Sequence, residues 1–296
     1  MIRGSKDQVL RIGLPKGSLE ESTVDMFARA GYHIRIPSRS YFPEIDDPQI
    51  SCVMFRAQEM SRYVEDGVVD LGITGHDWIT ENGSDVHEVS ELRYSKATSQ
   101  PARWVLAVPD ESAVRTPEDL AGGIIATELV NSTRRYFEQR GIKIKKVEFS
   151  WGATEVKARL VDAIVDITET GSSIRANNLR IIDQILTSTT RLIANHNAWK
   201  DPVKRDKIES LALLLRGAID ARQRVGLKLN VRKDKLETIL KMLPAEKSPT
   251  VSALADSDWV AVEIIVEDRV ERDLVPQLHN AGATGIISYP LNKVIH

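Results

Sequence analysis

Apolar positions alternate with polar ones in short runs separated by helix-spaced stretches, and the alternation recurs from one end of the chain to the other. Val9-Leu10-Arg11-Ile12-Gly13-Leu14 reads as a strand that Pro15-Lys16-Gly17-Ser18 breaks, and Leu19, Val24, Phe27 and Ala28 follow at roughly helical spacing. Ser51 to Phe55 reads as the next strand, Ala57 to Glu65 as a helix, and Val68 to Ile73 as a strand running into Thr74-Gly75-His76-Asp77. After the polar stretch Ser95 to Gln100, a second series begins with strand Arg103 to Val108, closed by Pro109. It continues with strand Gly123 to Thr127, helix Asn131 to Arg140 with Gly141 as its stop, and strand Lys145 to Phe149. Strand Ala163 to Thr168 then runs into Glu169-Thr170-Gly171-Ser172-Ser173, with a helix expected from Ile174 to Leu179.

Strands alternating with helices predict α/β lobes with mostly parallel sheets covered on both faces, and ligand loops beyond the carboxyl ends of the strands. From Val203 a connector helix carries Ile208, Leu211, Ala212 and Leu215 on one face. The remaining order is strand 225–231, helix 234–243, strand 250–254, strand 259–266, helix 273–281 and strand 284–289. That is the βαββαβ order of a ferredoxin-like domain.

Composition narrows the function classes. Forty Lys and Arg against 42 Asp and Glu leave no global basic field for nucleic acid or anionic membrane, so phosphate recognition must be local. No stretch approaches the ~18 apolar residues of a membrane span, and no signal-peptide pattern opens the chain, which points to the cytoplasm. Cys52 is the single cysteine. It excludes an intramolecular disulfide and a multi-cysteine metal site, and its apolar surroundings read as packing.

Three strand ends carry candidate chemistry. Asp166 through Ser173 delivers carboxylates, a glycine and hydroxyls to the start of a helix, which suits a phosphate whose carrier also has hydroxyls or a bound Mg²⁺. The plain alternative is an N-cap turn. Lys16-Gly17-Ser18 offers a cation, a close backbone approach and a hydroxyl without P-loop spacing. Thr74 and Gly75 end the third strand, and the alternative there is a tight turn. His76 has no assignable Ser or Cys partner, and no His pair has metal spacing, so a hydrolase triad and a zinc site are improbable.

These loops together with the C-terminal unit resemble the long form of ATP phosphoribosyltransferase. The motifs that carry the resemblance are Arg11-Ile12-Gly13-Leu14-Pro15-Lys16-Gly17, Asp70-Leu71-Gly72-Ile73-Thr74-Gly75, and Asp162-Ala163-Ile164-Val165-Asp166 with Glu169-Thr170-Gly171. Two more follow in the family order, Lys247 to Ala255 and Gly282-Ala283-Thr284-Gly285-Ile286-Ile287.

The resemblance implies a two-lobed, periplasmic-binding-protein-like catalytic region. Lobe I would comprise 1–100 with 190–218, lobe II 101–189, and a regulatory domain 219–296. It implies transfer of phosphoribosyl from 5-phosphoribosyl 1-pyrophosphate to N1 of ATP with Mg²⁺, in a homo-oligomer of two to six chains that histidine inhibits. Asp166, Glu169, Thr170, Gly171, Ser172 and Ser173 would hold the phosphoribosyl substrate, and Lys16, Gly17, Arg56, Asp70, Thr74 and Gly75 would line the side where ATP and pyrophosphate meet. Asn230, Thr250, Ile265 and Gly285 would lie near the inhibitor. Glu155 is a further ligand candidate. The family often has Arg where Ser18 stands, Thr where Ser173 stands, and in some members an acid where Asn230 stands. A non-catalytic small-molecule binding protein of the two-lobed solute-binding fold is the competing reading.

Overall fold

The computed structural model describes residues 9–94, 100–152, 154–244 and 249–296. Residues 1–8, most of the polar stretch from Ser95, and Lys247-Ser248 of the fourth motif lie outside the described residues. The chain divides into two compact units, the first running up to Ala28 and from Tyr32 to Ala212, the second comprising Arg29–Gly31 and Leu213–His296.

In the first unit, lobe I begins with β1 (Leu10–Lys16), α1 (Glu20–Ala30), the short pair β2 (Ile34–Arg35) and β3 (Glu44–Ile45), then β4 (Ile50–Arg56) and α2 (Ala57–Glu65). It continues with β5 (Leu71–Gly75), α3 (His76–Asn82) and β6 (His87–Leu92). Lobe II contains β7 (Ala102–Pro109), β8 (Ile124–Thr127), α4 (Val130–Gln139), β9 (Lys146–Phe149), α5 (Thr154–Lys157), β10 (Ala163–Thr168), α6 (Ser172–Ala176) and β11 (Leu179–Ser188). After Thr189 the chain is back in the first sheet as β12 (Thr190–Ala194), followed by α7 (His196–Lys200) and the long α8 (Pro202–Ala221).

The lobe I sheet has the order β4-β1-β5-β12-β6, and the lobe II sheet β11-β7-β10-β8-β9. Each is mixed rather than mostly parallel. In lobe I, β1 runs parallel to β4 and β5, whereas β12 is antiparallel to β5 and β6. In lobe II, β8 is parallel to β10 and β9, and β7 is antiparallel to β10 and β11. The antiparallel members are the strands at which the chain changes lobe and returns.

Pro15 does not end β1. It pairs with Phe55 of β4, while the β1–β5 register is confined to Ile12 and Gly13, so the missing Pro15 N–H removes no bond on that flank. Gly13 and Gly72 pair across β1 and β5 for a packing reason. A Cβ at Gly13 would lie 2.4 Å from Met60 Sδ, and one at Gly72 2.7 Å from Val64 Cγ2, so the two glycines let α2 approach the sheet. The lobe II core is built on Trp104, Leu106, Ile125, Phe137 and Val165.

The second unit contains β13 (Arg224–Arg232), α9 (Leu236–Met242), β14 (Thr250–Ala253), β15 (Trp259–Glu267), α10 (Asp268–Asn280) and β16 (Thr284–Pro290). Its sheet order β14-β15-β13-β16 is antiparallel throughout, as a ferredoxin-like βαββαβ unit requires. Leu227, Leu229, Val231, Val260, Val262 and Ile264 point to the helix-covered face, where Ile239, Leu274 and Leu278 meet them.

Candidate active site in the first unit

The parallel register that ends β1 and β4 together places Lys16 beside Arg56 at the carboxyl edge of the lobe I sheet. Lys16 Nζ lies 3.9 Å from the centroid of the Tyr41 ring. Both cations line a cavity of about 360 Å³ together with Gly17, Gly75, Arg93, Glu128 and Glu169. Its floor includes Ser188, Thr189 and Thr190, where β11 becomes β12. Cations from lobe I and carboxylates from lobe II thus border one space.

The lobe II wall is held by its own backbone. Gly171 N donates to Thr168 Oγ1 at 2.7 Å, Thr170 Oγ1 donates to Ser172 Oγ at 3.0 Å, and Thr170, Ser172 and Ser173 stay exposed. Gly171 has a φ of 75°, and a Cβ there would also press on Arg175 Nη1 at 2.9 Å, so a guanidinium lies against this loop. The expected helix over 174–179 is shorter and earlier, Ser172–Ala176, because Leu179 already belongs to β11.

Val165 pairs with Thr127, so Asp166, inside β10, stands beside Glu128, the residue that follows β8. Burial, then the neighbouring Glu155 carboxylate, then Glu128, push the Asp166 carboxyl up to about 7. Among the described residues no group of three or more His, Cys, Asp or Glu side chains could cage a metal ion. The neighbouring carboxylates of Asp166 and Glu155 nevertheless fit Mg²⁺ carried in on phosphate oxygens, since that ion takes one or two carboxylates and keeps waters.

Two of the expected cleft residues lie elsewhere. Asp70 precedes β5, at the opposite end from Gly75, and its Oδ1 accepts from Arg11 Nη2 and Lys204 Nζ, both at 3.0 Å. Burial raises the Asp70 carboxyl, but these hydrogen bonds outweigh it and hold the group below the ordinary range. Thr74 is fully buried, its hydroxyl donating to Ala57 O at 2.7 Å, which ties β5 to the start of α2. Asp166, Thr170, Gly171, Ser172 and Ser173 adjoin Glu169 in sequence without lining the cavity wall themselves.

Asp77, Arg93, Trp104 and Glu128 line the cavity although the sequence reading did not single them out. Asp77 is buried, and its carboxylate accepts from Trp104 Nε1 at 2.7 Å and from Trp78 N at 2.9 Å. Burial pushes the Asp77 carboxyl up against those bonds. Cys52 is buried in β4, and burial pushes its thiol up to about 12, in keeping with packing rather than catalysis.

In the second unit the register brings Asn230, Thr250 and Ile265 to the open face of the sheet. Thr250 pairs with Glu263, Asn230 with Ala261, and Ile265 follows Glu263 by two. A Cβ on Gly285 would lie 3.1 Å from Asn230 Nδ2, so these two are neighbours.

A family description, "ATP phosphoribosyltransferase", matches residues 56–217, and "HisG, C-terminal domain" matches 221–293. An ATP phosphoribosyltransferase of Chlorobium chlorochromatii is 55% identical over 292 residues, covering 98% of this chain and 99% of its own. One from Solibacter usitatus is 56% identical over 288 residues, covering 97% and 99%. Among solved structures, the ATP phosphoribosyl transferase (HisG:HisZ) complex from Thermotoga maritima superposes with a TM-score of 0.61 at 31% identity, over 72% of this chain and 99% of that one. With relatives of this identity over nearly its whole length, and two α/β sheets bordering a cleft of mixed charge, the chain is a pentosyltransferase. It belongs to the ATP phosphoribosyltransferase family, in its long form, and so to histidine biosynthesis.

Proposed function

We propose that the cleft joins N1 of the adenine of ATP to C1 of 5-phosphoribosyl 1-pyrophosphate, with pyrophosphate leaving from C1. The observation that carries this reading is the single cavity bordered by Lys16 and Arg56 on one side and by Glu169 on the other. The hydroxyls of Thr170, Ser172 and Ser173 and the turn at Gly171 suit the 5-phosphate, with Arg175 adding charge. Asp166 and Glu155 face the ribose hydroxyls as acceptors. Lys16 and Arg56 receive the negative charge that grows on the departing pyrophosphate while C1 becomes oxocarbenium-like. When bound, Mg²⁺ on the pyrophosphate supplies further charge neutralisation. No side chain forms a covalent bond to substrate, since the ring nitrogen of adenine is the nucleophile and the C1–O electron pair leaves with pyrophosphate.

The region 1–100 with 190–218 and the region 101–189 serve as the two lobes, and 219–296 as a regulatory domain. Its open sheet face, with Asn230, Thr250, Ile265 and Gly285, is where histidine would bind as feedback inhibitor, in a cytoplasmic homo-oligomer of two to six chains. No described helix is long and apolar enough to cross a membrane.

Purified protein supplied with ATP, 5-phosphoribosyl 1-pyrophosphate and Mg²⁺ should yield phosphoribosyl-ATP. Glu169→Ala combined with Thr170→Ala should raise KM for the phosphoribosyl substrate without a comparable loss of thermal stability. No product over a range of pH and metal, or an unchanged KM in the double variant, would overturn the reaction or the loop assignment respectively.

A further inference from the structure

Arg56, Gln58, Trp78 and Glu128 line the main cavity and also a second one of about 480 Å³, so the cleft continues past them. The second chamber is walled by Phe149 and Trp151, 56% and 54% exposed, with ring centroids 6.1 Å apart. Arg56 reaches over the Trp151 ring, its guanidinium carbon 5.2 Å from the centroid. The segment is pinned to β8, since Ser150 N donates to Thr127 O at 2.9 Å and Gly152 N to Glu128 Oε1 at 3.2 Å.

We propose that Trp151, with Phe149 beside it, is the shelf on which the purine base of ATP stacks. Two large aromatic side chains, each more than half exposed beside a cavity, suit a flat heterocycle, because base–aromatic stacking uses such a ring face. The location fits the reaction. Glu155, four residues beyond Trp151, stands close enough for its charge to raise the carboxyl of Asp166, the proposed ribose ligand. One segment of chain therefore carries both the base shelf and a carboxylate of the sugar site, and the attacking ring is brought alongside C1. Arg56 lines both chambers, with its guanidinium carbon over the indole, and its planar fork suits phosphate oxygens.

This inference rests on the proposed reaction, and binding measurements separate the two. Full-length wild type, Trp151→Ala and Trp151→Phe are titrated calorimetrically with ATP and with inorganic tripolyphosphate, which presents the anion without the base. ATP affinity should fall about tenfold or more in Trp151→Ala and much less in Trp151→Phe, with tripolyphosphate affinity the same in all three. In turnover, KM for ATP should rise while KM for the phosphoribosyl substrate holds. Unchanged ATP affinity in Trp151→Ala, or equal weakening of ATP and tripolyphosphate, overturns the shelf. Trp151-dependent ATP binding by a wild type that makes no phosphoribosyl-ATP supports the shelf and overturns the reaction instead.

Discussion

Asp166 is half-buried next to Glu155 and Glu128, and its carboxyl is held near pH 7. The folded state therefore favours the protonated form, and the stability this contributes is fully present below the ordinary value of 3.8 and lost as pH rises through about 7. Asp166→Asn removes the titration while keeping the shape. The variant should melt at a higher temperature than wild type at pH 8 and at nearly the same temperature at pH 4, measured by circular dichroism, while binding the phosphoribosyl substrate more weakly. An equal offset at both pH values would contradict the assignment. The sequence points to Asp166 because an apolar strand carries it toward a hydroxyl-rich turn. Asp70 shows the limit of that reasoning. It too adjoins a strand within a matching motif, but its partners Arg11 and Lys204 are 59 and 134 residues distant, and no local pattern reveals a carboxylate already satisfied.

At the scale of elements, α3 belongs to lobe I by sequence and is fastened to lobe II by side chains. Asp77 and Glu81, one turn apart and both buried, reach across. Asp77 bonds the Trp104 indole, and Glu81 accepts from Asn131 N and Ser132 N, both at 2.8 Å, at the exposed amide end of α4. Arg135 adds a bond from Nη2 to Thr80 O at 2.7 Å. Glu81→Ala leaves two helix amides without their acceptor and should cost about 1–3 kcal/mol in chemical denaturation. Trp78 and Trp104 meet edge to face, so their fluorescence should change as well. No change in either would show that the lobes are held without this strut. α3 escaped the hydropathy reading because two of its inward positions are acidic. β6 escaped it as an edge strand rich in Glu, and β11 because two register shifts erase the period-two pattern. The buried central strands of the two lobes and the whole C-terminal order were legible, the former as apolar runs and the latter from alternating strands and apolar helix faces.

For the molecule as a whole, the balance of 40 basic against 42 acidic residues conceals a sorting by place. Lys16 and Arg56 meet at one strand edge, and Asp166, Glu155 and Glu128 gather in the facing lobe. The ferredoxin-like unit keeps its helices on one sheet face and leaves Asn230, Thr250 and Ile265 on the other. If that face binds histidine, Asn230→Leu should abolish inhibition in a steady-state assay and leave the rate without histidine unaltered. Inhibition that persists would move the site off this face.

β12 lies between β5 and β6, and among the described residues β6 pairs with no other strand. A ribosome delivering the chain from its amino end therefore releases β6 roughly a hundred residues ahead of the neighbour it needs, while lobe II, contiguous from β7 to β11, can assemble within that interval. The order of birth and the order of completion are inverted. Until β12 arrives, β5 has one bare edge that the finished sheet covers, so the nascent chain offers a pairing edge that the completed lobe does not.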